Sequence, residues 1–409
     1  MIPYEEARHL VLKDLAPLVP RDFAIEDALG LVMARAVRAR EASPRFANSA
    51  MDGFALRAED TANGEVRLRI AGTIFAGDVA TTTLHAGEAI RIMTGAPLPD
   101  GADGVCMREE ATVDGDTVLI QRAIEPFEYV RLVGDDFGAG QELAGIGSVV
   151  GPALLGVLAS QGVASVLAHP RPRVGVLSTG NELSDSRDDL GAGEIRDANR
   201  PSLLASLDRS GFTPVDLGIA ADTRGEIAEA FEHGMRSCDA IISTGGVSVG
   251  DADFVKSVLA ELVGDGAQSM QVAIRPGKPF AFAVDPTTGV PFFGLAGNPV
   301  STLVGFELFV RPALRRLAGN AELDRPTASM ILDCPLPRRR DGKLNLVHVS
   351  VGFANDGRLH VKSVSRLGSH LLHSVAAANA IAMVPDGDGL DTGQEVMAMI
   401  IDTERLNGR

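Results

Sequence analysis

The 409-residue sequence has few aromatic residues and few cysteines. It contains no tryptophan, two tyrosines and 16 phenylalanines, so aromatic residues make up only 4% of the chain. The three cysteines (Cys106, Cys238 and Cys334) lie far apart and form no Cys-x-x-Cys pair. This spacing argues against a zinc site built from thiolates, and it argues more strongly against a disulfide framework.

Positive charge and long hydrophobic runs are also scarce. Lysine and arginine number 38 against 54 acidic residues, a net charge of −16, which disfavours nucleic acid or an anionic membrane as a partner. An anionic substrate would have to be bound by specific residues against the repulsion of this negative charge. The most apolar stretch, residues 149–168, is broken by Pro152, Ser160, Gln161 and three glycines, so we predict no membrane span. The first six residues are acidic and lack a hydrophobic signal segment, and we expect a cytoplasmic protein.

The length is too great for one ordinary core and predicts two to four domains. Helical spacing covers residues 4–18, and a helix begins again near Pro152. Between them the pattern changes to short strands and turns, with strands expected at 66–70, 89–93, 104–107 and 117–120. We therefore predict a discontinuous N-terminal helical domain (residues 1–47 and 141–170) and a β insertion domain (residues 48–140).

Short strands alternate with helices over residues 171–318. This alternation predicts an α/β domain with a mostly parallel sheet and ligands at the carboxyl ends of its strands. Its last helix is expected over residues 299–317, with a kink at Pro312. Residues 319–409 contain short strands and turns, which are typical of a compact β domain.

Two strands of the α/β part lead into glycine-rich loops, residues 178–183 and 243–253. Backbone N–H groups in such loops, with a following helix, can bind phosphate, although neither loop is a P-loop or a dinucleotide fingerprint. The alternative is a tight turn in which glycine serves packing. Ser248 lies in a formal G-x-S-x-G match, but its position in the middle of the loop disfavours a hydrolase nucleophile.

Carboxylates recur beside these loops: Glu182, Asp222, Asp251 and Asp253. Carboxylate oxygens near a phosphate site are the ligands that Mg²⁺ prefers. The alternative for Asp222, Asp251 and Asp253 is capping of the helices that follow them.

Two further turns carry polar chemistry. The segment Arg275-Pro276-Gly277-Lys278-Pro279 is a rigid turn with two cations that suit an oxyanion, or else a solvated hairpin turn. Asn298 and Pro299 form a strong helix start, which capping alone can explain.

The first half of the chain offers ordinary-looking polar loops. They contain Asp52, Thr94, Arg131 and an acidic pair that ends at Asp136. His370 and His373 lie close in sequence, but they lack a carboxylate partner, which disfavours a metal site there.

Taken in order, these segments resemble the MoeA/gephyrin E-domain family, the molybdopterin molybdenumtransferases. The resemblance spans nearly the whole chain and rests on residues 49–55, 94–103, 131–136, 177–183, 195–200, 244–256, 275–279 and 297–301. It implies a homodimer of elongated four-domain subunits. Each subunit would have a MogA-like α/β molybdopterin-binding domain and a C-terminal β-barrel-like domain (residues 319–409).

The resemblance also implies an activity. In this family adenylylated molybdopterin reacts with molybdate in the presence of Mg²⁺, and AMP is released as the metal enters the dithiolene. Alternatives are a molybdopterin adenylyltransferase, a tungstate-preferring paralogue and a binding scaffold. The implied partners are small-molecule substrates, the adenylyltransferase, and molybdoenzymes or their chaperones.

The family motifs assign roles to residues of this sequence. Those implied in catalysis are Asp52, Thr94, Arg131, Asp136, Glu182, Asp222, Asp253, Arg275 and Lys278. Those implied in binding molybdopterin and its phosphates are Ser178, Thr179, Gly180, Gly245, Gly246, Val247, Ser248, Pro276, Gly277, Asn298 and Pro299. Those implied in holding the divalent ion are Glu182, Asp222 and Asp253.

The sequence departs from the family pattern at four positions. Gln271 and Arg275 stand where lysines are usual, Ala296 replaces a proline, and Asn181 replaces a frequent aspartate. Arg275 keeps the positive charge and can bind an oxyanion in bidentate fashion. Gln271 removes a charge, which bears on molybdate affinity and not on the fold.

Overall fold

A computed structural model describes residues 1–186, 189–247, 254–364 and 371–406. The helices in these ranges are α1 (Tyr4–Leu12), α2 (Pro152–Ser160), α3 (Asn199–Arg209), α4 (Arg224–Ser237), α5 (Phe254–Val263), α6 (Pro299–Gly305), α7 (Arg311–Leu317) and α8 (Leu372–Ala376). None of the described helices is long and apolar enough to cross a membrane.

The strands fall into three groups along the chain. The first group is β1 (Arg21–Ala24), β2 (Val32–Met33), β3 (Val37–Arg38), β4 (Asn48–Ser49), β5 (Gly53–Leu56), β6 (Val66–Ile74), β7 (Glu88–Ile92), β8 (Gly104–Met107), β9 (Ala111–Asp114), β10 (Thr117–Ile120), β11 (Val130–Arg131), β12 (Glu142–Ala144) and β13 (Ser165–His169). The second group is β14 (Arg173–Thr179), β15 (Leu183–Ser184), β16 (Ile195–Arg196), β17 (Thr213–Ala220), β18 (Ala240–Thr244), β19 (Gln268–Gln271), β20 (Ile274–Arg275), β21 (Pro279–Val284) and β22 (Pro291–Leu295). The third group is β23 (Thr327–Leu332), β24 (Leu336–Pro337), β25 (Leu344–Phe353), β26 (Leu359–Ser363), β27 (Ala380–Val384), β28 (Gly389–Leu390) and β29 (Glu395–Ile400).

The chain on either side of the β insertion shares one small core. Strand β13 pairs with β1 and β2 in a three-stranded sheet, and α2 lies in the same segment as β13. Met33, Val150, Leu158 and Val166 are buried together in one cluster. Burying these side chains requires both chain segments, so the unit is discontinuous in sequence.

The insertion itself is a six-stranded sheet in the order β8-β5-β7-β6-β10-β9. All four strands predicted between residues 66 and 120 are present, with bounds that differ by up to four residues. Phe54, Leu68 and Val118 bury one face of this sheet, whereas Ile74, Ile90 and Ile92 belong to a second cluster.

The α/β part contains a six-stranded sheet in the order β17-β14-β18-β22-β21-β19. The first four strands are parallel, and β21 and β19 join antiparallel at one edge. Every residue of β18 and β22 is buried. Apolar clusters lie on both faces of the sheet, as expected for a parallel sheet covered by helices. The predicted α/β class is thus confirmed.

Helix α1 packs away from the discontinuous unit to which the sequence analysis assigned it. Its buried residues Ala7, Val11 and Leu12 share a cluster with Val304 and Leu314 of the α/β part. The backbone N–H of Ile2 also donates to the carbonyl of Gln271 at 2.9 Å. The apolar face of α1 therefore belongs to the α/β core.

The long helix predicted over residues 299–317 is present, but it changes winding before Pro312. Residues Phe306–Val310 form a π-helical turn between α6 and α7. Proline lacks an N–H and its ring crowds the carbonyl four residues earlier, so a local change of winding there has a direct cause.

The C-terminal part closes into a five-stranded barrel of β25, β26, β23, β29 and β27, because β27 also pairs with β25. Alternate residues of β25 face opposite sides of its sheet. Val347 and Val349 lie in the barrel core, whereas Leu346 belongs to the core of the α/β part. The outer face of β25 is therefore docked on the α/β part.

Candidate functional site

The loops that follow β14, β18 and β22 meet at one edge of the parallel sheet. The backbone N–H of Gly245 donates to the carbonyl of Leu295 at 3.1 Å. Thr179 donates to the carbonyl of Thr244 at 3.5 Å. Carboxyl ends of neighbouring parallel strands share one edge of a sheet, which is where ligands bind in open α/β folds.

Asn199, at the start of α3, joins two of these loops. Its amide nitrogen donates to the Thr244 hydroxyl and to the Gly297 carbonyl, both at 2.7 Å. The next residue, Arg200, is buried and pairs with Asp197 at 3.1 Å and with both oxygens of Asp216 at 2.6 Å. This ion-pair network anchors the start of α3 and so holds the Asn199 amide in place.

Gly245 has a backbone that only glycine adopts readily. Its φ is +96°, and a Cβ there would lie 2.4 Å from the carbonyl oxygen of Thr179. The loop after β18 therefore approaches the end of β14 more closely than any side chain would allow. Gly246, the next residue, also has a positive φ, of +62°.

The polar groups of this edge are not all satisfied internally. The Ser178 hydroxyl is fully buried, and it has no hydrogen-bond partner among the described residues. The side-chain oxygen of Asn199 is also buried without a hydrogen-bond partner among the described residues. Buried polar groups normally have partners, so these two atoms are exceptions within the described part of the chain. Val247, in contrast, packs its side chain into the apolar core, which leaves only its backbone for binding.

Glu182 and Asp222 lie close together beside this edge. The backbone N–H of Asp222 donates to the Asn181 side-chain oxygen at 3.0 Å. Burial raises the pKa of Asp222 above its usual value, and the charge of Glu182 raises it further. The capping alternative for Asp222 is wrong, because Thr223 occupies the N-cap of α4 and accepts from Glu226.

Several predicted residues lie outside the described ranges. They are Ser248, Asp251, Asp253 and His370. Within the described ranges no three histidine, cysteine, aspartate or glutamate side chains form a group that could hold a metal ion. Glu182 and Asp222 are therefore at most two protein ligands for a metal ion, and a complete set would need further ligands.

The cationic turn lies at the mouth of a cleft between the α/β part and the barrel. The cleft has a volume of about 790 Å³, and its lining includes Arg275, Pro276, Lys278, Ser301 and Arg339. A Cβ on Gly277 would lie 3.5 Å from the Ser301 carbonyl, so the turn packs directly against α6. The Arg275 side chain is 67% exposed, with Asp341 no nearer than 3.9 Å. The turn thus presents its cations to the cleft.

Asn298 and Pro299 occupy the start of α6, as predicted. Pro299 is the first residue of α6, and Asn298 is at the N-cap position. However, the Asn298 side chain makes no capping hydrogen bond, and the residue is exposed next to Gly297. Capping therefore does not account for Asn298, and its amide is available to a ligand.

A second group of predicted residues meets in the β insertion. One carboxylate oxygen of Asp52 accepts from the backbone N–H and from the hydroxyl of Thr94, both at 2.7 Å. These hydrogen bonds lower the pKa of Asp52. Arg131 pairs with Asn48 on the neighbouring strand, and the Asp136 backbone N–H donates to the Ser43 carbonyl at 2.9 Å. All four predicted residues are exposed.

Exposed apolar side chains flank this second group. Phe46, Met51, Leu132 and Val133 are 37% to 57% exposed, and each lies within a few residues of Asn48, Asp52 or Arg131. Apolar side chains around a polar group are typical of a surface that another protein covers.

The sequence analysis gave no role to several residues of the first site. Asn199 and Arg200 were noticed only as part of a motif, and Arg338, Arg339 and His348 were not noticed at all. Arg338 and His348 reach the cleft only because β24 and β25 dock beside α6. No local sequence signal marks that docking.

Comparisons with known proteins agree over nearly the full length. The MoeA N-terminal region (domain I and II) matches residues 2–162, the probable molybdopterin binding domain matches residues 175–316, and the MoeA C-terminal region (domain IV) matches residues 335–401. A molybdopterin molybdenumtransferase from Haemophilus influenzae is 34% identical over 391 residues, which are 95% of this chain and 96% of that protein.

Two more relatives extend this similarity. The molybdopterin molybdenumtransferase of Bacillus subtilis is 34% identical over 93% of this chain and 90% of its own length. A crystal structure of the molybdopterin biosynthesis MoeA protein from Pyrococcus horikoshii has a TM-score of 0.82 at 26% identity, and the match covers 98% of this chain and 100% of that one.

Proposed function

The chain belongs to the family of molybdopterin molybdenumtransferases, and on this premise we propose that it transfers molybdenum from molybdate to adenylylated molybdopterin. Water cleaves the pterin's phosphoanhydride and AMP leaves, and one molybdate oxygen leaves as water with the two dithiol protons when the metal enters the dithiolene. One observation carries the proposal: the loops at the end of the parallel sheet lie beside a cationic cleft, and α6 connects the two.

The sheet edge is proposed to bind the pterin and its phosphates. Gly245 belongs to this edge through its loop and Ser178 through the carboxyl end of β14, and the donors of such an edge are neutral backbone and side-chain groups. Thr179, Gly180, Gly246, Val247 (by its backbone) and Asn298 complete this set. Neutral donors suit a protein whose overall charge of −16 repels anions.

The cleft is proposed to bind molybdate. Arg275 and Lys278 project from a turn whose backbone is fixed against α6 by Pro276 and Gly277. Their charges are focused at one place on an otherwise acidic protein, which raises the local concentration of a dianion. Catalysis then comes chiefly from positioning two anionic substrates side by side.

The divalent ion is proposed to bind at Glu182 and Asp222. The donor set fits Mg²⁺, because it consists of two carboxylates whose mutual repulsion a cation relieves. Such an ion, when bound, polarises the phosphoanhydride between the pterin and AMP. Asp253 remains a predicted third ligand outside the described residues.

The β insertion is proposed to complete the site of a partner subunit. Asp52, Thr94, Arg131 and Asp136 are exposed and flanked by apolar side chains, as expected for half of a shared site. We therefore propose a cytoplasmic homodimer. We also propose domain boundaries near residues 48, 141, 171 and 319, with α1 docked on the α/β domain. The adenylyltransferase and the recipient molybdoenzymes or their chaperones are proposed partners.

Glu182→Gln tests the proposed activity. The change removes a charge without changing the shape, and we expect AMP release from adenylylated molybdopterin to fall on the order of 100-fold with molybdate and Mg²⁺. Glu229→Gln, on the exposed side of α4, is the matched control and should be fully active. Full activity of Glu182→Gln, or no AMP release from the wild type, would contradict the assignment.

Running the same assay with tungstate tests the metal preference. A lower requirement for tungstate than for molybdate would identify the tungstate-preferring alternative.

Formation of adenylylated product from molybdopterin and ATP would instead identify an adenylyltransferase. Gln271→Lys restores the charge that is usual in the family, and it should lower the molybdate concentration needed for half-maximal AMP release.

A further inference from the structure

His348 is a buried histidine to which the proposed mechanism gives no role. It lies on β25 between Val347 and Val349, which point into the barrel core. Side chains alternate along a strand, so His348 is on the same outer face as Leu346, which packs with the α/β core. The imidazole is thus held in the interface between the barrel and the α/β part, and the residue is 6% exposed.

Two cavities meet at this histidine. One is the 790 Å³ cleft that carries the cationic turn, and the other is a smaller cavity of about 250 Å³. His348 lines both. His348 therefore lies between the two cavities, and charges in either cavity act on the protonation of its imidazole.

The cations of the larger cleft are mostly unpaired. Arg338 is paired, since it contacts Asp341 at 2.8 Å and Asp386 at 2.7 Å. Arg275 has only the distant Asp341, and within the described residues no carboxylate lies within 4.0 Å of the Lys278 or Arg339 side chain. This side of His348 is strongly positive until an anion binds.

The smaller cavity is lined by three arginines and two carboxylates, and both carboxylates are paired. Arg209 pairs with Asp402 at 2.5 Å, and Arg325 pairs with both oxygens of Glu307 at 3.0 Å. Arg405 donates to backbone carbonyls at residues 376–378. This side offers His348 no unpaired carboxylate among the described residues, so the imidazole has no fixed counter-charge.

These surroundings keep the empty site's imidazole neutral. Burial lowers the pKa of His348 to about 4. An anion that binds in the larger cleft against His348 would favour the imidazolium, because an opposite charge nearby stabilises the charged form.

We propose that His348 takes up a proton when a tetrahedral oxyanion enters the cleft, so that anion binding is coupled to proton uptake. The inference rests on the proposed assignment of this cleft to molybdate. The proton comes from solvent and no covalent bond changes. The protonated imidazole adds a fourth cation to Arg275, Lys278 and Arg339 only while the anion is present, and the free protein avoids that buried charge.

Calorimetry of molybdate binding to the wild type tests the coupling without any mutation. Titrations in buffers of different ionisation enthalpy at pH 7 should show uptake of up to one proton per anion bound. Affinity should fall with rising pH between pH 6 and 8, by at most about tenfold per unit for one linked proton. This range lies above that in which molybdate itself protonates.

Two variants locate the proton. His348→Gln keeps a neutral polar side chain, and it should weaken molybdate binding and abolish both the proton uptake and the pH dependence. His348→Arg carries a permanent charge, and it should bind molybdate without proton uptake at any pH in the range. His233→Gln, an exposed position on α4, is the control and should behave as the wild type. Thermal unfolding checks that each variant is folded.

The outcomes separate this inference from the proposed function. Molybdate binding without proton uptake, together with normal AMP release, overturns the role of His348 and leaves the transferase assignment intact. Persistence of the proton uptake in folded His348→Gln overturns it equally. If the wild type binds no molybdate, the assignment of the cleft is wrong and the inference falls with it.

Discussion

The two groups of candidate residues in this protein are built in opposite ways. At the edge of the α/β sheet, the loops are tied to one another by side-chain hydrogen bonds between distant segments, such as those of Asn199 with Thr244 and Gly297. In the β insertion, Asp52 and Thr94 are exposed and held by two hydrogen bonds to a single carboxylate oxygen. Changes at the edge should therefore affect stability and activity together, and changes in the insertion should affect activity alone.

This difference has a physical reason. If the sheet edge binds the pterin and its phosphates, as we propose, a preformed site is an advantage, because donors that are already placed need no rearrangement when charge develops. If the β insertion completes the site of a partner subunit, as we also propose, its residues must remain accessible until assembly, so they cannot be buried within their own subunit.

Gly245→Ala should give the largest effect. The new Cβ would meet the Thr179 carbonyl oxygen at 2.4 Å, on a backbone whose φ is +96°. We expect a loss of about 3 kcal/mol or more in the free energy of unfolding, together with loss of AMP release. Urea denaturation and the AMP assay measure the two effects.

Gly64→Ala is a matched control for that change. Gly64 has a similar φ of +92°, but a Cβ there would meet nothing within 4 Å. The Gly64→Ala variant should lose only about 1 kcal/mol in the free energy of unfolding, because only the backbone conformation opposes the change, and it should keep full activity. Equal losses in the two variants would mean that the close approach at Gly245 is unimportant, and the contrast between the two regions would weaken.

The sequence alone could reveal the edge of the sheet but not its internal links. Strands followed by glycine-rich loops are local patterns, and loops do follow β14 and β18 as predicted, whereas the ligand contacts predicted in them remain predictions. The amide of Asn199 contacts Gly297 across 98 residues, and such a contact depends on how α3 and α6 pack.

The remaining site residues were beyond sequence patterns for similar reasons. Asp52 and Thr94 are 42 residues apart, and only the family resemblance suggested that they belong together. His348 has its environment because the barrel docks on the α/β part. The first helix shows the same limit, since its helical spacing was visible but the core that receives its apolar face was not.

Asp52→Asn should separate activity from stability. An amide oxygen accepts the two Thr94 hydrogen bonds less strongly than a carboxylate does. Because the site is exposed, we expect little change in unfolding at pH 7, but AMP release should fall on the order of 10- to 100-fold. Asp78→Asn is the control, since Asp78 also accepts a backbone hydrogen bond on the surface of the insertion, from Phe75 at 2.8 Å. A large loss of stability in Asp52→Asn would contradict the contrast.

Asp222→Asn should give the smallest change in the free energy of unfolding, and it should raise this free energy, whereas the other variants lower it or leave it unchanged. The pKa of Asp222 is raised in the folded protein, so its ionised form opposes folding at every pH above the unfolded value of 3.8. Removing that charge should therefore stabilise the chelated protein at pH 7, by no more than about 0.5 kcal/mol. The gain should shrink as the pH falls towards 4.

The pKa of Asp52 is lowered, so the carboxylate favours folding above pH 3.8, and any loss in Asp52→Asn should fade below that pH. Urea denaturation of both variants from pH 7 to pH 3 measures the two trends. Trends of the same sign would mean that burial and the charge of Glu182 do not oppose the ionised form of Asp222 in solution, and the proposed cation site would lose that support.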